Sequence, residues 1–147
     1  MLNWCVNNGG ELKWQDALRI GCPLDDICTT EFSEKAENLL SGLEAKHYLR
    51  RSNQGNICFL YPYSAYPTDY HVTLEDGRSF YAMCAIDAMG SAPTFCQSVK
   101  IRSHSRDTQE EIFLHIHPDR GILSIEPDDH FVATYYDTSK NYIDFNC

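Results

Sequence analysis

Between Ser33 and Tyr48 the apolar residues Ala36, Leu39, Leu40 and Leu43 recur at intervals of three and four. That is the period of one helix face, and Ser33 offers the hydroxyl of an N-cap, so the spacing predicts an amphipathic helix. His47-Tyr48-Leu49-Arg50-Arg51 and Ile57-Cys58-Phe59-Leu60-Tyr61 then flank the polar run Ser52-Asn53-Gln54-Gly55-Asn56. This is the pattern of strand, turn and strand. Helical segments followed by a hairpin predict a winged-helix-like region over residues 1–62.

Residues 62–69, with Pro62 and Pro67 and no periodicity, read as a linker or a loop draped over a site. From residue 63 to 147 the pattern is mostly that of strands. Tyr70–Leu74 and Ser79–Ala82 flank the Gly-containing turn Glu75–Arg78, and a short helix is expected from about Ala85 to Met89. Further strands are predicted at Ser98–Ser103, Glu111–Ile116 and His130–Tyr136, the first two alternating Val99 and Ile101, then Ile112, Leu114 and Ile116, with polar residues. The expected class is α+β: an N-terminal helical, winged-helix-like part packed on a mixed β-sheet core with short helices. No internal repeat or low-complexity tract interrupts it.

Composition narrows the partners. A chain of 147 residues suits one domain or two small modules, and 43% hydrophobic residues suffice for a core. The formal charge of −9 argues against nucleic acid and against anionic membranes, because polyanion binding needs Lys and Arg to displace counterions. The tempting pair Arg50 and Arg51 on the first hairpin strand does not alter this. Residues 1–62 carry six Lys and Arg against eight Asp and Glu, so packing is expected of the N-terminal part rather than DNA binding.

No apolar run reaches the 18 or so residues of a spanning helix, and Met1-Leu2-Asn3-Trp4-Cys5 lacks a signal peptide's basic and apolar regions. A soluble, cytoplasmic protein is expected. Seven cysteines without export signals then point to free thiols rather than a disulfide framework.

One stretch carries chemistry: Phe80-Tyr81-Ala82-Met83-Cys84-Ala85-Ile86-Asp87-Ala88-Met89. With a helix beginning near Cys84, Cys84 and Asp87 lie three positions apart on one face and address the same small volume. A helix N-terminus also favours a thiolate, which would draw the thiol from its ordinary pKa of about 8.5 toward neutrality. On spacing alone the plainer reading stands ahead: a small core cysteine beside a first-turn Asp. A second candidate is His115-Ile116-His117, whose two imidazoles share a strand face as a metal pair would, although two solvent-facing histidines without a third ligand are the commoner outcome.

The run FYAMCAIDA, Phe80 to Ala88, resembles the active-site segment of the organomercurial (alkylmercury) lyases, where a Cys, two residues and an Asp follow an aromatic-rich strand. The likeness extends through Val99-Lys100-Ile101-Arg102-Ser103-His104, Ile122-Leu123-Ser124-Ile125-Glu126-Pro127 and the final Phe145-Asn146-Cys147. It covers residues 70–147 well and the helical part more loosely. Carried over residue by residue, it implies that Cys84 and Cys147, 63 residues apart, are the two mercury thiolates and Asp87 the acid/base group that can also face the metal. The implied activity is protonolysis of a carbon–mercury bond to a hydrocarbon and Hg(II), as part of mercury detoxification.

No cofactor is then required. Mercury is substrate and product, an external thiol removes it, and a mercuric reductase is the implied recipient of Hg(II). The chemistry suits these residue types, because soft Hg(II) prefers thiolate to water, imidazole or carboxylate. Asp87 must be protonated at delivery, so an apolar, partly dry site is expected, with Phe80, Tyr81, Tyr61, Tyr63 and Tyr66 as candidate aromatic walls. Two departures stand out. The resemblance implies a further strand and helix after Cys147, so a C-terminally short core is expected, and an additional core cysteine is replaced at or near Ser105. Cys5, Cys22, Cys28 and Cys58 match no catalytic role, whereas Cys96 is a substitute thiol for the site.

Two readings from other classes remain. A non-catalytic heavy-metal-binding or metal-carrying protein would hold Hg(II) without releasing hydrocarbon. A metal-responsive winged-helix regulator would be retained on DNA in a salt-sensitive way.

Overall fold

The computed structural model describes residues 1–20, 30–105 and 107–128, the side chains of 30–33 excepted. It divides into two compact units, Met1–Tyr66 and Pro67–Cys147. The strand expected at His130–Tyr136 lies outside the described residues.

In the first unit α1 (Leu2–Asn8), α2 (Trp14–Ile20) and α3 (Thr30–Ala45) precede the strands β1 (Leu49–Arg51), β2 (Ile57–Leu60) and β3 (Tyr63–Ser64). The hairpin forms as its pattern predicts, with Leu49 opposite Leu60 and Arg50 opposite Phe59. Gly55 takes a positive φ of 81° in the connecting turn, a conformation costly for a residue with a Cβ. Helix α3 differs from expectation at its start. It begins at Thr30, so Ser33 lies within the helix rather than capping it. Its apolar stripe is also narrower, because Leu40 is buried while Leu39 is 71% exposed.

The chain before α2 joins this small sheet. Leu12 and Ile57 exchange both backbone hydrogen bonds, at 3.0 and 2.7 Å, and Leu12, Leu49, Ile57 and Cys5 form a fully buried core. Arg51 is committed within the unit. Its guanidinium donates to both carboxylate oxygens of Glu44, at 3.0 and 2.6 Å, and stacks 4.4 Å from the Trp14 ring, whose Nε1 donates to Glu37.

The second unit holds β4 (Tyr70–Leu74), β5 (Ser79–Ala82), α4 (Ala85–Phe95), β6 (Val99–His104), β7 (Glu111–His117) and β8 (Gly121–Glu126). Its strands lie in the order β5-β4-β6-β7-β8. Every described pair is antiparallel, where a mixed sheet was expected. Short reversals, such as the Gly77 turn between β4 and β5, connect most neighbours, and hairpins pair antiparallel. Strand β8 forms where the sequence pattern predicts no strand.

Period-two alternation decides the two faces. Val72, Leu74, Phe80, Ala82, Val99, Ile101, Leu114 and Ile116 are all buried on one side, where α4 packs against β4 to β7. Burial of this set, at about 25 cal/mol per Å² of apolar surface, holds the helix down. Small residues let α4 approach the sheet, since Ala88, Ser91 and Ala92 are its buried positions. For that reason the helix runs past Met89 to Phe95, through Gly90 and Pro93, rather than stopping near Met89. Phe80 and Phe95, with ring centroids 5.5 Å apart, pack its C-terminal end to β5.

Candidate active site

Strand β5 ends at Ala82 and α4 begins at Ala85, so Met83 and Cys84 make the corner between them. Cys84 is the N-cap, with extended φ and ψ of −147° and 176°, and its carbonyl accepts the first helical bond from Ala88 at 2.9 Å. Asp87 stands in the first turn. The predicted juxtaposition is therefore present: thiol and carboxyl share one helix start and perturb each other's ionisation.

The charge state of the thiol differs from expectation. Burial, as the largest influence, pushes the Cys84 thiol up to about 11, and the negative charge and hydrogen bonding of the Asp87 side chain push the same way. The sulfur makes no full cap bond, and the opposing pull of the Asp87 and Ile86 amides is smaller. Desolvation outweighs the helix terminus here, because it penalises the thiolate directly. Cys84 thus rests as a thiol near neutral pH. Burial also raises the Asp87 carboxyl above its ordinary value, while the neighbouring thiol hydrogen partly offsets that rise.

This pair can do three things chemically. The thiol becomes a strong soft-metal ligand once a metal displaces its proton. The carboxylate beside it is placed to take that proton. Its raised affinity for protons then lets it hold that proton until a stronger base, such as a carbanion, takes it.

Support around the corner comes from a residue with no sequence signal. Thr68 donates its hydroxyl hydrogen to the Ala82 carbonyl and accepts the Tyr70 amide at 3.2 Å. Ser91, fully buried, donates to the Asp87 carbonyl at 3.1 Å. Phe80 is buried in the α4-facing core, whereas Tyr81 is half-buried on the opposite face, edge-on to His71 at 5.3 Å.

The other candidates separate. Cys147, Cys22 and Cys28 lie outside the described residues. Cys96 caps the far end of α4 and is exposed. A helix rise of about 1.5 Å per residue puts it roughly 18 Å from Cys84, so it does not serve as a substitute second sulfur. Cys5 is buried, and Cys58 is half-buried with its pKa raised by burial. Ser105 turns its hydroxyl to the Thr108 amide at 3.2 Å, a turn-forming role that a cysteine fills less well. In the first unit Tyr63 is buried and donates to the Gly10 carbonyl, and Tyr66 donates to Glu11.

His115 and His117 both lie on β7 as predicted. Among the described residues, however, no three His, Cys, Asp or Glu side chains come together to hold a metal. His117 instead accepts the Asp119 amide on Nδ1 at 3.1 Å. An open cleft of about 440 Å³ lies on the sheet face opposite α4, between His71, Lys100, Arg102, Phe113 and His115. It contains neither Cys84 nor Asp87. No helix among the described residues is long and apolar enough to cross a membrane.

The family model described as alkylmercury lyase matches residues 63–147. The alkylmercury lyases of Bacillus cereus and Clostridium butyricum are each 32% identical over 104 residues, 71% of this chain and 46% of theirs. The chain therefore spans about half the length of the curated relatives it matches. A crystal structure of the mercury-bound form of MerB2 aligns with a TM-score of 0.61 and 18% identity, over 85% of this chain and 56% of that one. That likeness concerns the fold alone.

Proposed function

Because the chain belongs to the alkylmercury lyase family, we propose that it cleaves carbon–mercury bonds by protonolysis, releasing a hydrocarbon and leaving Hg(II) on its thiols. The observation that carries this reading is the meeting of Cys84 and Asp87 at the start of α4, in surroundings dry enough to raise both pKa values.

In the proposed sequence the Cys84 sulfur bonds to the mercury of R–Hg–X, and its proton leaves with X. A second thiol, assigned to Cys147, adds its sulfur to the metal and passes its proton to Asp87. Two thiolates push electron density toward the carbon. Asp87 then protonates that carbon, the Hg–C bond breaks, R–H departs, and Hg(II) stays on two sulfurs. Two molecules of an external thiol exchange onto the metal and return both cysteines to thiols, so no cofactor is consumed. A cytoplasmic setting supplies that thiol, and a mercuric reductase is the proposed recipient of the product.

The first unit is read as winged-helix-like from its helices and hairpin, and as a packing element. Arg51, one of the two cations that suggested DNA, is held by Glu44 and Trp14.

The test is incubation of the protein with phenylmercury and excess thiol. Benzene from the natural sequence and none from Cys84→Ser supports the lyase. Stoichiometric Hg(II) binding without benzene overturns it in favour of a metal carrier.

A further inference from the structure

Thr68 sits between two backbone groups that end the β4–β5 ladder. Tyr70 and Ala82 are the last residues paired in that ladder. The Thr68 hydroxyl accepts the Tyr70 amide at 3.2 Å and donates to the Ala82 carbonyl, across 14 residues of chain. Ala82 is fully buried. Its carbonyl belongs to the peptide that leads into Met83, and Cys84 follows immediately as the N-cap of α4. A hydroxyl that both donates and accepts is needed here, because one neighbour is an N–H and the other a C=O.

We infer that Thr68 is a positioning residue: its hydroxyl closes the open end of the β4–β5 ladder and thereby fixes the corner that presents the Cys84 sulfur beside Asp87. The assignment rests on Cys84 being the mercury-binding thiol of the proposed lyase. The physical reason is leverage. One residue, Met83, separates the clamped carbonyl from Cys84, and a catalytic group displaced by about 1 Å can lose on the order of 100-fold in rate. Fixing the Ala82 peptide removes freedom that β5 alone does not constrain, since the ladder ends there. Sequence periodicity gives no hint of it, because the bond joins a loop residue to a backbone atom.

The experiment compares the natural chain with Thr68→Val, which keeps shape but loses the hydroxyl, and Thr68→Ser, which keeps the hydroxyl. Two readouts are taken on each: kcat and KM for benzene release from phenylmercury, and the rate at which iodoacetamide labels Cys84, resolved by peptide mass spectrometry. Thr68→Val is expected to lower kcat about tenfold with KM changed less than about twofold, and to change Cys84 labelling by at least threefold. Thr68→Ser is expected to restore both. Should Thr68→Val fail to fold, Thr68→Ala takes its place in the same comparison. Unchanged kcat and labelling in the hydroxyl-free variant overturn the inference, as does a Ser variant as impaired as the Val variant. Absence of benzene from the natural chain overturns the lyase reading instead, and the labelling comparison still decides whether Thr68 positions Cys84.

Discussion

The Cys84 thiol and the Asp87 carboxyl occupy the N-cap and first turn of one helix, and each makes the other harder to treat as an isolated group. The carboxylate helps hold the proton on sulfur, and the thiol hydrogen in turn eases the ionisation of the carboxylate that burial opposes. Burial thus keeps the proton on the Cys84 sulfur rather than exposing a ready thiolate. A protonated thiol beside a carboxyl suits the proposed protonation of carbon.

Alkylation of Cys84 should consequently be slow near neutral pH and rise toward a midpoint of about 11. Peptide-resolved labelling with iodoacetamide from pH 6 to 11 measures it. Cys96, exposed at the other end of α4, provides a comparison within the same molecule. A Cys84 midpoint at or below the ordinary thiol value of about 8.5 would contradict the desolvated thiol.

Asp87→Ala is expected to separate binding from turnover. Hg(II) affinity should change little, because soft sulfur ligands carry it. Hydrocarbon release should fall by at least 100-fold, the scale of losing a positioned proton donor. Titration with Hg(II) and gas chromatography of the released hydrocarbon give the two values. Equal losses in both would make Asp87 a structural residue.

Phe80→Ala should cost about 3–5 kcal/mol, since Phe80 is 5% exposed and packs against Phe95 at the end of α4. Chemical denaturation measures the loss. Helix α4 carries both Cys84 and Asp87, so the same variant should also speed Cys84 labelling well below the unfolding midpoint.

Much of this arrangement is legible in the chain. The β4–β5 hairpin shows because its strands alternate and Gly77 supplies the positive φ of its turn, and the Cys84–Asp87 meeting follows from three-residue spacing on a helix. Strand β8 does not show. Five of its six residues are exposed, Ile122 and Leu123 among them, so Gly121–Glu126 has no inward and outward alternation to read. Helix α4 is longer than expected because tertiary packing of Ala88, Ser91 and Ala92 overrides the local signals of Gly90 and Pro93. The ionisation of Cys84 is hidden for a related reason: spacing reveals the helix terminus, whereas burial depends on the whole fold.

Acid should weaken the first unit through Glu11. Its carboxylate accepts hydrogen bonds from Tyr66, Asn56 and Ser52, the Tyr66 bond being the largest cause of its lowered pKa. A depressed folded-state pKa contributes stability above the unfolded value, and that contribution is lost as pH falls through the folded one. The thermal midpoint should therefore drop as pH falls below about 4.5. Glu11→Gln should flatten that part of the profile. An identical acid limb in the variant would remove Glu11 from the account.

A single turnover tests the central proposal most directly. One equivalent of phenylmercury is added without external thiol, and the intact protein and its peptides are weighed. The account predicts loss of the phenyl group as benzene and one mercury atom, without carbon, shared by Cys84 and Cys147. Phenylmercury retained whole on Cys84, or mercury with no link to Cys147, would contradict it.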